Sequence, residues 1–223
     1  MPPSYRRTRL QYCVMDKARF SRDQLKGFTG ATLPDLISDR VQLLFVGINP
    51  GLRTVAVQAH FAPRGNRFWP ALYRAGITDR LIDASSGFTP ADRRYLLDRG
   101  IGITSLVDRA TAGADELTVD ELVTGGRKLD SMVRRYSPRV VAVLGITAYR
   151  DAFGDRHAKP GKQLSPYPAT ELWVVPNPSG RNAHATAAGL AEAYGEVARA
   201  AGMHLHPGFT DHHANARCGD DRE

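Results

Sequence analysis

Two short stretches, Gly47-Ile48-Asn49-Pro50-Gly51 and Asn177-Pro178-Ser179-Gly180, each set an asparagine between a run of apolar residues and a proline. A carboxamide offers a hydrogen-bond acceptor and a donor but no base. Chemistry at such a residue is therefore positional: it orients a small molecule and does not deprotonate it. Asn-Pro also starts ordinary turns, and for either stretch alone that is the simpler account. Finding the pair at two strand ends favours a site.

The elements around these stretches follow from periodicity. Residues 41–48, VQLLFVGI, form a short apolar run bounded by turn residues, which suits a buried strand. Phe68, Leu72 and Ala75 are spaced for a helix, with Pro70 in its first turn. Thr89-Pro90-Ala91-Asp92 reads as a helix start. Residues 101–106 suit a second strand, and Thr118 with Glu121 makes a capping box before a helix that runs to about Arg135. Residues 139–145 and 171–176 are the third and fourth strands. Ala187, Leu190, Ala191, Tyr194, Val197, Ala198 and Ala201 form one apolar stripe ahead of Gly202. Alternating strands and helices predict an α/β fold with a mostly parallel sheet covered on both faces. Sites in such folds lie beyond the carboxyl ends of the strands, so the two Asn-Pro loops are expected to face each other across one cleft.

The 223 residues suit one domain with room for tails. The expected organisation is an N-terminal extension over 1–40, ordered only in part, a central domain over 41–205 and a polar tail over 206–223. A composition of 42% hydrophobic and 24% charged residues is that of a soluble globular protein. No run approaches the roughly 18 apolar residues of a membrane span, and no secretory signal opens the chain. The formal charge of +7 suits a polyanionic partner, or simply solubility. Two cysteines, Cys13 and Cys218, are too few for a four-cysteine cluster and outline no disulfide framework. A reducing compartment, the cytoplasm of a bacterium, fits best.

Six blocks in order, GINPG, NRFW, GITSLVDRAT, GGRKL, VLGITAY and VVPNPSG, resemble the mismatch-specific uracil-DNA glycosylases, the bacterial double-strand-specific enzyme and its thymine-excising relatives. The match covers roughly residues 41–200. The resemblance implies a three-layer α/β/α sandwich and a monofunctional enzyme that needs no cofactor or metal and acts as a monomer. Its partner would be double-stranded DNA carrying G·U or a related mismatch, from which it flips out and excises the base. It further implies that Asn49 positions the hydrolytic water. Gly47, Ile48, Pro50, Gly51, Thr54, Phe61 and Asn66 would form the base pocket, with Phe61 stacking on the base. Asn177, Pro178, Ser179, Gly180, Arg181 and Asn182 would form the loop that enters the DNA.

The chemistry is consistent with these residue types. A flipped base costs a few kcal/mol to extrude, less at a mismatch, and stacking on an aromatic ring returns about 1–3 kcal/mol. Breaking the N-glycosidic bond leaves an oxocarbenium-like sugar and a base anion, which backbone N–H groups can stabilise. Other uracil-DNA glycosylases carry an aspartate in the motif that here holds Asn49. Without it the enzyme should be slow and depend on good leaving groups, and Asn49→Asp tests whether restoring a carboxylate raises the rate. Two departures stand out. Where the bacterial sequence continues Leu-Ser-Arg after the second loop, this chain has Arg181-Asn182-Ala183, so the inserted wedge becomes an arginine and strictness for opposite guanine is open. Thr54 falls on a loop position near the 5-position of the base in relatives, where its methyl would crowd thymine. Uracil is therefore expected above thymine, while ethenocytosine, hypoxanthine and xanthine stay open.

Several residues point elsewhere. His204, His206, His212 and His213 match no common zinc spacing and are expected in a solvated tail. His184 is open between a phosphate contact and a first-turn helix residue. Ser105 and Asp108 have no histidine near them in sequence. Gly125-Gly126 suits packing, with Arg127 and Lys128 solvated. Two other functions compete. VVPNPSG is similar to the Asn-Pro-Pro-aromatic loop of DNA methyltransferases, but it lacks the second proline and the aromatic, and no Gly-x-Gly loop follows the first strand. The stronger rival is a non-catalytic lesion-binding protein on the same fold.

Overall fold

Four apolar runs and one short polar edge strand supply the sheet at the centre of the molecule. The computed structural model describes residues 20–182 and 185–207. Strands β1 (Leu43–Gly47), β2 (Ile101–Ser105), β3 (Val140–Leu144), β4 (Gly161–Gln163) and β5 (Glu171–Val175) form one sheet in the order β2-β1-β3-β5-β4. The first four are mutually parallel and β4 runs antiparallel at the edge. Both faces of β1 and β3 are buried, so these strands read as unbroken apolar runs rather than alternating ones.

The described helices are α1 (Arg22–Lys26), α2 (Leu52–Ala56), α3 (Phe68–Arg74), α4 (Pro90–Asp98), α5 (Val119–Tyr136), α6 (Ile146–Phe153) and α7 (Ala187–Ala200). Alternate strand residues go to opposite cores. Leu43, Phe45, Val140 and Ala142 join Phe68, Leu72, Leu190 and Tyr194 under α3 and α7. Leu44, Val46, Val141 and Val143 join Leu129, Val133 and Tyr149 under α5 and α6. The result is the α/β/α layering expected from the alternation of elements. None of these helices is long and apolar enough to cross a membrane.

The capping boxes at Thr89/Asp92 and Thr118/Glu121 start α4 and α5 as their sequences indicate. The paired glycines of α5 serve close approach. A Cβ at Gly125 would run into the Leu106 carbonyl, and one at Gly126 would lie 2.7 Å from the Ala152 carbonyl oxygen. α5 therefore lies tight against the exit of β2 and against α6. Lys128, expected in solvent, instead pairs with Asp108.

Both ends of the described chain pack on the domain. In the extension expected to be ordered in part, residues 20–40 lie against the sheet: Leu36 exchanges backbone hydrogen bonds with Ile103 (2.9 and 2.7 Å), and Ala31 accepts from the Ala110 N–H at 2.8 Å. Leu33 joins Val55 and Ala110 in a small buried cluster. The segment caps the free edge of β2, which would otherwise expose its N–H and C=O groups. At the other end, the His206 N–H donates to the Gly76 carbonyl at 2.8 Å, and the buried His206 Nε2 has no hydrogen-bond partner. His206 therefore packs on the end of α3 and is not in a solvated tail. Gly76 has φ +71, and a Cβ there would collide with the His206 carbonyl. Cys13, Ala183, His184, His212, His213 and Cys218 lie outside the described residues.

Candidate active site

The exits of β1, β3 and β5 lie side by side on one edge because the three strands are parallel neighbours. Asn49 and Asn177 thus come to the same edge with Gly145 between them. A Cβ on Gly145 would sit 3.6 Å from Asn177 Nδ2 and 3.8 Å from Ile48 Cδ1. Gly145 has φ +124, a conformation L side chains rarely adopt. The loops enclose a cleft of about 1130 Å³. Every residue singled out in the sequence for the base pocket and the second loop lines it: Gly47, Ile48, Asn49, Pro50, Gly51, Thr54, Phe61 and Asn66, then Asn177 through Asn182. Among the described residues no group of His, Cys, Asp and Glu gathers as metal ligands would.

The Asn49 carboxamide is held from one side. Its Nδ2 donates to Thr111 Oγ1 at 2.7 Å and to the carbonyls of Arg109 and Pro50 at 3.2 Å each. Carbonyl oxygens only accept, so the nitrogen must face them. The Thr111 hydroxyl spends its own proton on the Gly113 carbonyl at 2.7 Å, which leaves its lone pairs for the amide. The donor capacity of Asn49 is thereby used up by protein groups, and Oδ1 is the atom left for chemistry. From sequence the amide had both a donor and an acceptor to offer; the structure leaves the acceptor.

Thr111, Arg109 and Glu121 were not singled out as site residues. Thr111 is buried. Arg109 forks onto both carboxylate oxygens of Glu121 and onto the Glu116 carbonyl. The Arg109 guanidinium beside Glu121 holds that carboxyl down at about 2, with the Thr118 N–H adding to the effect. For Arg109 and Thr111 the available signal was their position just after the second strand, at the same sheet edge; Glu121 was legible only as the capping-box partner of Thr118.

Phe61 sits on the loop between α2 and α3 at φ +55. Its ring stacks on Phe68, which in turn meets Phe45 and Trp69 edge to face. Gly47 lies beneath, since a Cβ there would touch Phe61 Cζ at 3.6 Å. Thr54, expected on a loop, is on α2 and is 5% exposed. The extended Gly51 starts that helix immediately after the strand exit, which turns the segment into the cleft wall. Next to Phe61, burial drives the pKa of His60 down to about 4, so the ring is neutral near pH 7.

The second loop is tied to the start of α3 through Arg67. This guanidinium donates to the carbonyls of Ser179 and Asn182 at 2.7 Å each, and to that of Ala185. The Arg67 N–H also donates to the Pro178 carbonyl at 3.0 Å. Beyond this anchor Arg181 is exposed and reaches across the cleft mouth to Asp115, 3.7 Å away. Asn66 accepts from the Phe68 N–H through Oδ1 at 2.9 Å and so starts α3.

The cleft thus combines an acceptor-only amide, a stacking ring and an arginine-tipped loop at the carboxyl edge of a parallel sheet. The family model described as the uracil DNA glycosylase superfamily matches residues 34–198, which take in the whole sheet and every wall of this cleft, and the chain belongs to that superfamily.

Proposed function

We propose that this chain is a monofunctional, mismatch-directed DNA glycosylase that removes uracil from G·U pairs by hydrolysis, leaving an abasic site. Membership in the superfamily points to a DNA glycosylase, a hydrolase of N-glycosyl bonds. The observation that carries the finer reading is the tethered Asn49 amide. Its Nδ2 is committed to Arg109, Pro50 and Thr111, so Oδ1 accepts a hydrogen bond from the attacking water and orients its lone pair. Asn49 is no base, so the water gives up its proton to the departing base anion only once it has added to the sugar carbon, and the leaving base must carry most of the driving force.

The flipped base stacks on Phe61 where it lines the cleft, with that ring lying over Gly47 and braced from behind by Phe68. The base anion leaves into a cleft onto which the N-terminus of α6 opens through Gly145, Ile146 and Thr147. The partial positive charge of a helix N-terminus favours an anion there. Arg181 replaces the extruded nucleotide in the stack, a role open to a planar guanidinium. The buried Thr54 narrows the pocket wall, which favours uracil over thymine.

Single-turnover excision with protein in excess tests this reading. End-labelled duplexes carrying G·U, A·U, G·T or G·ethenocytosine, and single-stranded uracil, are followed by alkaline cleavage. Breaks at G·U with little at A·U or in single strands are expected, and Thr54→Ala should raise the G·T rate relative to G·U. Equal rates on G·T and G·U in the parent would refute the role of Thr54. Tight mismatch binding with no break on any substrate would replace the enzyme by a lesion-binding protein.

A further inference from the structure

The acceptor-only geometry of Asn49 depends on where the segment after β2 places one carbonyl and one hydroxyl. That segment is restrained from three directions. Its backbone pairs with the N-terminal segment, the Ala110 N–H donating to Ala31 O at 2.8 Å and the Gly30 N–H to Ala110 O at 2.9 Å. It pairs with the exit of β1 through the Val107 N–H on Ile48 O at 2.9 Å. The third restraint is the Arg109 side chain, whose Nε and Nη2 take the two oxygens of Glu121, while Nη2 also reaches the Glu116 carbonyl at 3.0 Å.

Glu121 is a fixed point. It is the third residue of α5, and its Oε2 also accepts from the Thr118 N–H at 2.9 Å and the Thr118 hydroxyl at 3.1 Å. α5 is docked in turn by Gly125 against the Leu106 carbonyl, three residues before Arg109. A bidentate guanidinium–carboxylate pair fixes direction as well as distance. With side chains 34% and 30% exposed, it contributes little to folding. Its consequence is geometric: it restrains Arg109 from the side-chain end, while the Ala110 N–H bond to Ala31 holds the peptide whose carbonyl receives the Asn49 amide.

We infer that Arg109 and Glu121 are positioning residues for the hydrolytic step, acting through the Arg109 carbonyl and the Thr111 hydroxyl to keep Asn49 Oδ1 turned into the cleft. This rests on the water-orienting role of Asn49 proposed above. Loss of the fork removes one of the three restraints on this segment, so the Nδ2 anchors loosen and the water is held less closely on line. A misplacement of about 1 Å can cost on the order of a hundredfold in rate.

The test uses the full chain with Glu121→Gln, which keeps an acceptor for the Thr118 cap, and Arg109→Met. Arg134→Met, which breaks an exposed ion pair elsewhere on α5, is the control. Four quantities are read: the single-turnover rate on G·U, the Kd for a duplex with a non-hydrolysable uracil nucleotide, Tm, and the Asn49 side-chain NH2 signals in 15N–1H spectra. Those signals are identified by their loss in Asn49→Ala. Both fork variants should lose roughly tenfold or more in rate, keep Kd within about twofold, and shift or broaden the Asn49 NH2 signals, with the control unchanged. Unmoved NH2 signals overturn the inference, whether the rate holds or falls together with binding and Tm. A parent protein that excises nothing sinks the glycosylase reading separately, and the NH2 signals then alone uphold or overturn the clamp.

Discussion

The ring of Phe61 lies on that of Phe68 with 4.0 Å between centroids and 24° between planes. One face of Phe61 is thus occupied by the core and the other borders the cleft. The backbone at φ +55 is an unfavourable one for a non-glycine residue, costing about 1–2 kcal/mol. Such a residue persists where its surroundings over-determine it. Phe61→Ala should weaken the hold on a flipped base by about 1–3 kcal/mol, or roughly 5- to 150-fold. Phe61→Tyr should keep most of it. Kd for a duplex bearing a non-hydrolysable uracil nucleotide measures both, and an alanine variant with parental affinity would remove Phe61 from the base pocket.

Asn49→Asp is expected to lower the excision rate, contrary to what restoring a carboxylate suggests from sequence. Nδ2 faces two carbonyl oxygens and a hydroxyl whose proton is already committed. A carboxylate oxygen in that position would meet lone pairs on every side. The substituted carboxyl would therefore resist ionisation, and it would be least tolerated at high pH, where it must ionise. Excision at pH 8 should fall at least about as far as a lost oxyanion-hole donor costs, on the order of a hundredfold. A variant faster than the parent at pH 8 would show that the amide is not held as described.

Arg67 is expected to govern the second loop. Hydrogen bonds to charged donors contribute about 1.5–3 kcal/mol each, and Arg67 makes them to Ser179, Asn182 and Ala185. Arg67→Met should lower Tm and weaken mismatch binding by roughly tenfold or more. Arg67→Lys should recover only part of this, since an ammonium lacks the planar fork. Duplex affinity by fluorescence anisotropy, beside a melting curve for each variant, checks it. Wild-type affinity in Arg67→Met would mean that the loop orders without its anchor.

His60 should leave a signature in stability. Its ordinary pKa of 6.5 is lowered to about 4, first by burial and then by the charge of Arg93, with the hydrogen bond to the Pro34 carbonyl opposing. The unfolded chain then binds more protons than the folded one between those two values. The contribution is fully present above pH 6.5 and is lost as pH falls through 4, to a total of about 3 kcal/mol. In His60→Gln the fall of Tm from pH 6.5 to 4 should be shallower than in the parent. Parallel curves would place the transition elsewhere.

The sheet, its parallel strands and the sharp helix starts were legible in the sequence because local rules decide them. Val140–Leu144 is apolar on both faces, Thr118 and Glu121 are three apart, and Gly202 ends the last apolar stripe. β4 was not legible, since Gly161–Gln163 is three residues long and pairs only at the edge. α1, α2 and α6 were also missed; the first two are only five residues long. The packing of residues 20–40 was hidden too. Leu33 and Leu36 are buried by partners more than 60 residues away, such as Ala110 and Ile103, which no short window contains.

For the site, the sequence by itself determined which loops hold it. A strand that ends in Gly-Ile-Asn-Pro-Gly must deliver Asn49 to the carboxyl edge, and a second parallel strand must deliver Asn177 to the same edge. Only the tertiary structure decided which end of the Asn49 amide is free. Its donors are consumed by Arg109 and Thr111, 60 and 62 residues along the chain. A hydrogen bond fixes orientation through the direction of its partner, and that direction exists only once the strands have been laid side by side.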